Sequence, residues 1–142
     1  LRQRKAIRVG KLGAIVFPQG TYLYAGSARN GLKARLAHHL KRPKKRKHWH
    51  IDYLLDCPQA KISKIFFRFA SPLRECDLVK RLKKIPTAQI VVRRFGDSDC
   101  VMGCGSHLIH FAREPMSVGL GKGISLPAVK KLVFPGKRRS IG

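Results

Sequence analysis

The stretch TYLYAGSARNGLKARLAHHL, residues 21–40, reads as a strand, a tight turn and a basic helix in immediate succession. Tyr22 and Tyr24 fall on one face of the strand, Leu23 and Ala25 on the other, because side chains alternate along extended backbone. Gly26 and Ser27 supply the turn. Asn30 has the short polar side chain of a helix N-cap and predicts a helix over about 31–41. Leu32, Leu36 and Leu40 recur every four residues, which predicts a buried stripe. Arg35 sits beside that stripe, and His38 and His39 follow three and four positions on, so all three can face one region.

Working outward, LRQRKAIRV at 1–9 predicts a basic edge strand, and GKLGAIVFPQG at 10–20 reads as turn-rich from its glycines and proline. KRPKKRK at 41–47 is a basic loop broken by Pro43, followed by a short helix in HWHIDYLL. KISKIFFRFA predicts the clearest strand, Ile65, Phe67 and Phe69 alternating with Phe66 and Arg68. A second helix is predicted over about 73–84 after Pro72, with Cys76, Val79 and Leu82 or Ile85 turned inward. QIVVRRF predicts a further strand, GDSDCVMGCGS a loop, and HLIHFA a last strand. No repeat is visible. The expected architecture is α/β, a small central mixed or antiparallel sheet flanked by helices. Residues 1–114 are expected to form one domain and 115–142 a basic C-terminal extension or arm.

Composition narrows the partners. The 142 residues include 31 Lys+Arg against 7 Asp+Glu, a net charge of +24, and 44% are apolar, enough for a core. Self-repulsion on that scale opposes compaction unless polyanions screen it, and a strongly basic domain points to nucleic acid. No apolar run reaches eighteen residues, so no membrane span is expected. Cys57, Cys76, Cys100 and Cys104 form no dense disulfide framework, and no signal peptide is visible. The expectation is a reduced, cytoplasmic protein associated with nucleoid or ribosome.

The segment YAGSARNGLKARLAHHL resembles the second half of the GIY-YIG nuclease motif: a strand ending Tyr-x-Gly, a Ser, a loop, then a helix with Arg a few residues before His. The matching positions are Tyr24, Gly26, Ser27, Arg35 and His39. With HWHIDYLL, FGDSDC and SHLIHF, the similarity spans roughly residues 7–111 and points to a mainly archaeal-type branch of that superfamily. The superfamily's first, Gly-x-Tyr strand is imitated by Gly20–Tyr22, but that lies in the same strand as Tyr24; the proper element is expected upstream of Leu1, if this chain has it. The resemblance implies a GIY-YIG-like domain with Tyr24 near an attacking water, Arg35 on the phosphate, His39 in the same catalytic group and Glu75 holding Mg²⁺. A guanidinium suits phosphate because its planar fork meets two oxygens at once. Mg²⁺ commonly takes one or two carboxylates and keeps several waters.

Plainer readings stand beside these. The tyrosines pack as amphipathic strand residues. Glu75 favours the positive end of a helix dipole. His48 and Asp52, four apart, form either an acid–base pair or a helix-surface hydrogen bond. Trp49 packs in core or groove, or stacks on a base. Cys100, Cys104, His107 and His110 offer C-x3-C-x2-H-x2-H, with Cys76 a neighbour in the fold. That spacing is not a standard finger, and on a strand His107 and His110 would point to opposite faces, so Zn²⁺ is disfavoured against buried thiols.

Arg42, Lys44, Lys45, Arg46, Lys47, His48, Arg93, Arg94, Lys137, Arg138 and Arg139 are the expected phosphate contacts. The expected function is nucleic-acid binding, to DNA or RNA, with Mg²⁺-dependent cleavage of phosphodiesters. The alternatives are a non-catalytic RNA-binding structural protein associated with the ribosome, or an accessory module of a DNA-repair enzyme.

Overall fold

The computed structural model describes residues 1–29, 31–43, 46–67, 74–116 and the backbone of 123–125. The elements run β1 (Lys5–Val9), a 3-10 turn (Gly10–Leu12), β2 (Gly13–Phe17), β3 (Thr21–Tyr24), α1 (Leu32–Leu40), α2 (His50–Leu55), β4 (Lys64–Phe66), α3 (Glu75–Lys83), β5 (Leu108–Phe111) and β6 (Gly123–Ser125). Three antiparallel two-stranded ladders, β1–β2, β3–β5 and β4–β6, carry the helices around them. A small antiparallel α/β architecture is therefore what the chain adopts.

The segment expected to be turn-rich contains β2. Ala14 and Val16 are apolar like Ile15 and Phe17, so hydropathy hides the two-residue period. Pairing with β1 restores it: Ile7 opposes Ile15 and Lys5 opposes Phe17. Phe17 and Val9 are fully buried, while Ala6, Arg8, Ala14 and Val16 face outward.

In the β3–β5 ladder, Tyr22 opposes His110 and Tyr24 opposes Leu108, while Leu23 opposes Ile109 and Thr21 opposes Phe111. The ladder separates two hydrophobic clusters. Leu108, with half-buried Tyr22 and Tyr24, joins Val9, Phe17, Ile51, Leu54, Leu55 and Phe95 on the side of β1, β2 and α2. Ile109, Phe111 and half-buried Leu23 join Cys76, Val79 and Leu82 of α3 on the other. A strand covered on both faces shows no hydropathic alternation, and all four residues of β5 are buried.

Three further expectations change. QIVVRRF is not a strand: only Gln89 bridges, to His110, and the chain then curls through Arg94 (φ +60°) and Gly96 (φ +72°), burying Val92 and Phe95. The stripe of α1 is only half-buried, since no residue of that helix is fully covered. Its N-cap is Gly31, and Asn30 lies outside the described residues. The inward face of α3 is as expected, with Cys76, Val79 and Leu82 buried.

Candidate functional site

Tyr24 closes β3 with its ring edge-on to Phe95 and to His39, each centroid 6.4 Å away. Arg35 lies beside Tyr24, close enough to lower the phenol's pKa, with its guanidinium over the Trp49 ring at 4.4 Å. Gly26 leaves room for this pairing, because a Cβ there would stand 3.0 Å from an Arg35 terminal nitrogen and 3.2 Å from Tyr24 Cε1. Burial raises the Tyr24 pKa above its ordinary value, more than Arg35 lowers it, and Glu75 and Asp52 add to the rise. The phenol is therefore protonated at neutral pH. Tyr22 is different: its hydroxyl donates to the Pro18 carbonyl at 2.6 Å and its ring packs on Phe17 and His110, a structural role.

Glu75 opens α3, and its Oε1 accepts the Ser27 backbone N–H at 2.8 Å, three residues past Tyr24. Burial pushes its carboxyl up, but the Ser27 side-chain and backbone hydrogen bonds and His107 outweigh it, and the net shift is downward. The carboxylate is ionised at neutral pH.

Asp52, fully buried, is a hub that the sequence reading paired with the wrong histidine. Its Oδ2 lies 2.9 Å from His38 Nε2 and accepts the backbone N–H groups of His48 (2.8 Å) and Trp49 (3.1 Å), while Oδ1 lies 3.5 Å from His39 Nδ1. His48 thus meets Asp52 through its backbone; its ring lies tilted against His38 and edge-on to Trp49. Burial raises the Asp52 pKa, and the hydrogen bonds from His38, Trp49 and His48 more than reverse this. Trp49 is a half-buried groove residue between Arg35, His38 and His39.

Gly96 backs the site. Its N–H donates to His50 Nδ1 at 3.0 Å, and burial lowers the His50 pKa, which keeps that ring neutral and accepting. A Cβ on Gly96 would reach 2.9 Å from Tyr24 Cε2 in a left-handed conformation. Gly96→Ala is expected to destabilise the fold by roughly 1–3 kcal/mol, seen as a lower urea midpoint, and to displace the Tyr24 ring, seen in its aromatic NMR shifts.

Of the basic residues, Arg42 donates to the Ala60 and Cys57 carbonyls at 2.6 and 3.3 Å, fastening the loop after α2. Lys47 pairs with Asp56 at 2.9 Å. Arg46, Arg93 and Arg94 are exposed. Lys44, Lys45, Lys137, Arg138 and Arg139 lie outside the described residues.

Among the described residues, two clusters bring potential metal donors within 4.8 Å of one another: His38, His39 and Asp52, and Cys76, Cys100, Cys104 and His107. The second overturns the expectation that disfavoured zinc. Cys76 Sγ lies 3.3 Å from Cys100 Sγ and 3.8 Å from His107 Nε2. The opposed faces of His107 and His110 do not matter, because α3 supplies the missing donor through Cys76. His110 instead sits 3.0 Å from the Gln19 carbonyl oxygen. The Cys100 thiol is pulled down to about 6, by the Cys104 backbone first and then Cys76 and His107, while burial pushes Cys104 up to about 12.

No helix among the described residues is long and apolar enough to cross a membrane. No curated protein and no solved structure matches the chain. A family model does, described as "Domain of unknown function DUF123", over residues 1–121. With most of its length matched, this chain, a small α/β domain with two clusters of potential metal donors, belongs to the DUF123 family.

Proposed function

We propose that this DUF123 domain is a nucleic-acid-binding module of the GIY-YIG type that cleaves phosphodiesters with a divalent cation. The observation that carries the reading is the hydroxyl–guanidinium pair of Tyr24 and Arg35, with His39 against the same ring and Glu75 tied to Ser27 close by in the chain. Arg35 has five N–H donors in a planar fork, enough to meet two phosphate oxygens beside Tyr24. Trp49 holds the guanidinium plane from one side. Tyr24, protonated and oriented by Arg35, positions the attacking water rather than deprotonating it unaided. An ionised Glu75 fits Mg²⁺, which commonly takes one or two carboxylates and keeps several waters. The cation it would hold supplies charge neutralisation at the phosphate and acidifies bound water.

The high net charge supports nucleic acid as partner. Lys5, Arg8 and Lys47 line a shallow groove of about 500 Å³ with Tyr53 and Asp56, and the exposed Arg46, Arg93 and Arg94 add phosphate-binding capacity. These contacts fix position without reading sequence. Residues 115–142 act in this reading as a basic arm.

A second reading has its own support. The raised pKa of Tyr24 removes the simplest general base. A domain that retains the shape and holds RNA without cutting it, as a ribosome-associated protein would, needs only the basic surface.

Incubation of the full chain with branched DNA and with structured RNA, with and without Mg²⁺, separates the two. Nicking that requires Mg²⁺ and disappears in Glu75→Ala is the expected result. Tight binding of RNA with no cleavage under any condition would leave the structural reading. In either case log K is expected to fall linearly with log salt at a slope of about 0.9 per duplex phosphate engaged, measured by fluorescence anisotropy across salt concentrations. A flat response would remove nucleic acid as partner.

A further inference from the structure

We propose that Cys76, Cys100, Cys104 and His107 form a closed zinc centre that fastens the first turn of α3 to the loop preceding β5. The proposal is independent of whether the domain cleaves nucleic acid.

The four donors arrive from two parts of the chain, α3 and the segment 100–107. Cys76 stands in the first turn of α3, Cys100 and Cys104 in the 97–106 loop, and His107 immediately before Leu108 of β5. Each offers one ligand atom, and all four lie within 4.8 Å of one another. A tetrahedral zinc site, with Zn–S near 2.3 Å and Zn–N near 2.0–2.1 Å, has sulfur–sulfur edges of about 3.8 Å and sulfur–nitrogen edges of about 3.6 Å. The Cys76 and Cys100 sulfurs are 3.3 Å apart, somewhat inside the sulfur–sulfur edge, and Cys76 lies 3.8 Å from His107 Nε2, close to the sulfur–nitrogen edge. No described thiol is in a disulfide.

The donor chemistry selects the metal. Three thiolates and an imidazole in a tetrahedron suit zinc and exclude the hard cations Mg²⁺ and Ca²⁺, which take oxygen. Four protein ligands leave no open position for water or substrate, so the centre is structural rather than catalytic. Burial agrees: Cys76, Cys104 and His107 are buried, and only Cys100 is partly open.

The surroundings are built to present the ligands. Gly103 and Gly105, with φ +63° and +81°, fold the loop back on itself around Cys104. His107 is fixed through its backbone on both sides: its N–H donates to the Phe95 carbonyl at 2.8 Å, and its carbonyl accepts the Ala25 N–H at 3.0 Å. Lys83, at the far end of α3, reaches the Cys104 carbonyl at 3.5 Å. A nine-residue helix is marginal alone and depends on what it is anchored to. A metal cross-link at its first turn supplies an anchor one residue from Glu75, and so holds the Glu75–Ser27 contact in place.

The test starts from the full chain purified anaerobically under reducing conditions, with metal content read by inductively coupled plasma mass spectrometry. One zinc per chain is expected, released when thiols are blocked with a mercurial. Exchange for Co²⁺ is expected to give the strong visible absorption of a tetrahedral thiolate site, with sulfur-to-metal charge transfer. Cys104→Ser and His107→Ala should lose most of the zinc or its affinity, while Cys57→Ser retains it in full. Because either site variant can fail to fold, the wild-type metal content and cobalt spectrum stand as independent readouts. A metal-free chain that folds with four freely titrating thiols overturns the proposal. So does iron in place of zinc, or a Cys76–Cys100 disulfide in the anaerobically reduced protein.

Discussion

Asp52→Ala is expected to cost about 3–5 kcal/mol of folding stability, the scale seen when one partner of a buried charged network is removed. The carboxylate is fully shielded from solvent. One of its oxygens serves three groups at once: His38 Nε2 and the backbone N–H groups of His48 and Trp49. Truncation strands both N–H groups at the start of α2, where a helix has no internal partners for them. It also removes the joint between α1, which carries His38 and His39, and α2. Urea denaturation followed by circular dichroism measures the loss; a shift under about 1 kcal/mol, the ordinary size of one neutral hydrogen bond, would mean the hub is not what joins the helices. Asp52→Asn should fall between, since an amide oxygen still accepts but carries no charge.

The same residue sets an acid limit. The folded-state pKa of Asp52 lies below its ordinary value. Its contribution to stability is then complete above the unfolded-state carboxylate pKa, near 4, and is lost as pH falls through the depressed folded value. Glu75 is shifted in the same direction and adds to the effect. Urea midpoints of the wild type should therefore drop steeply below about pH 4, and in Asp52→Ala that drop should shrink.

Arg35→Ala is expected to lower kcat/KM for phosphodiester cleavage by at least about 10²-fold, the usual loss when one preorganised donor to a developing oxyanion is removed. This prediction rests on the nuclease reading. Arg35 is flanked on two sides, by Tyr24 and by the face of Trp49 at 4.4 Å. Both contacts orient the guanidinium before any phosphate arrives, so little ordering is left for the moment of reaction. Arg35→Lys keeps the charge but not the planar fork. It should recover binding measured by anisotropy while leaving cleavage well below wild type. Cleavage by Arg35→Ala within a factor of a few of wild type would remove Arg35 from the phosphate. Loss of binding alone, with turnover of bound substrate unchanged, would make it an electrostatic contact like its many neighbours.

Much of the local structure was legible in the sequence. Tyr22 and Tyr24 on one face of β3, a helix carrying Arg35 and His39, and Cys76, Val79 and Leu82 as the inward face of α3 all followed from periodicity. Periodicity failed where both faces of a strand are apolar, as in β2, whereas β5, buried on both faces, was still legible as a strand in HLIHFA. QIVVRRF misled for another reason: its β-branched residues favour a strand, but Arg94 and Gly96 take left-handed backbone and curl it into a buried turn.

The candidate site divides the same way. Tyr24, Gly26, Ser27, Arg35 and His39 lie within one short stretch, and the motif spacing singled them out together. Asp52 was visible as a helix carboxylate, but its histidine partner sits 14 positions away on another helix, while the tempting one, His48, is only four away. Trp49 gave no sign that it would lie against Arg35.

By itself the sequence determined the composition of this protein's chemistry: a strongly cationic chain, a tyrosine–arginine–histidine segment on a strand and helix, two glutamates in all, and a set of thiols and imidazoles in unusual spacing. Only the tertiary structure decided which of these meet. Cys76 reaches His107 across 31 positions because the two hydrophobic clusters on either side of the β3–β5 ladder draw α3 onto one face and α2 onto the other. Apolar burial is non-directional. It sets which elements pack together, and the polar groups they carry are brought into register by that packing rather than by any pattern along the chain.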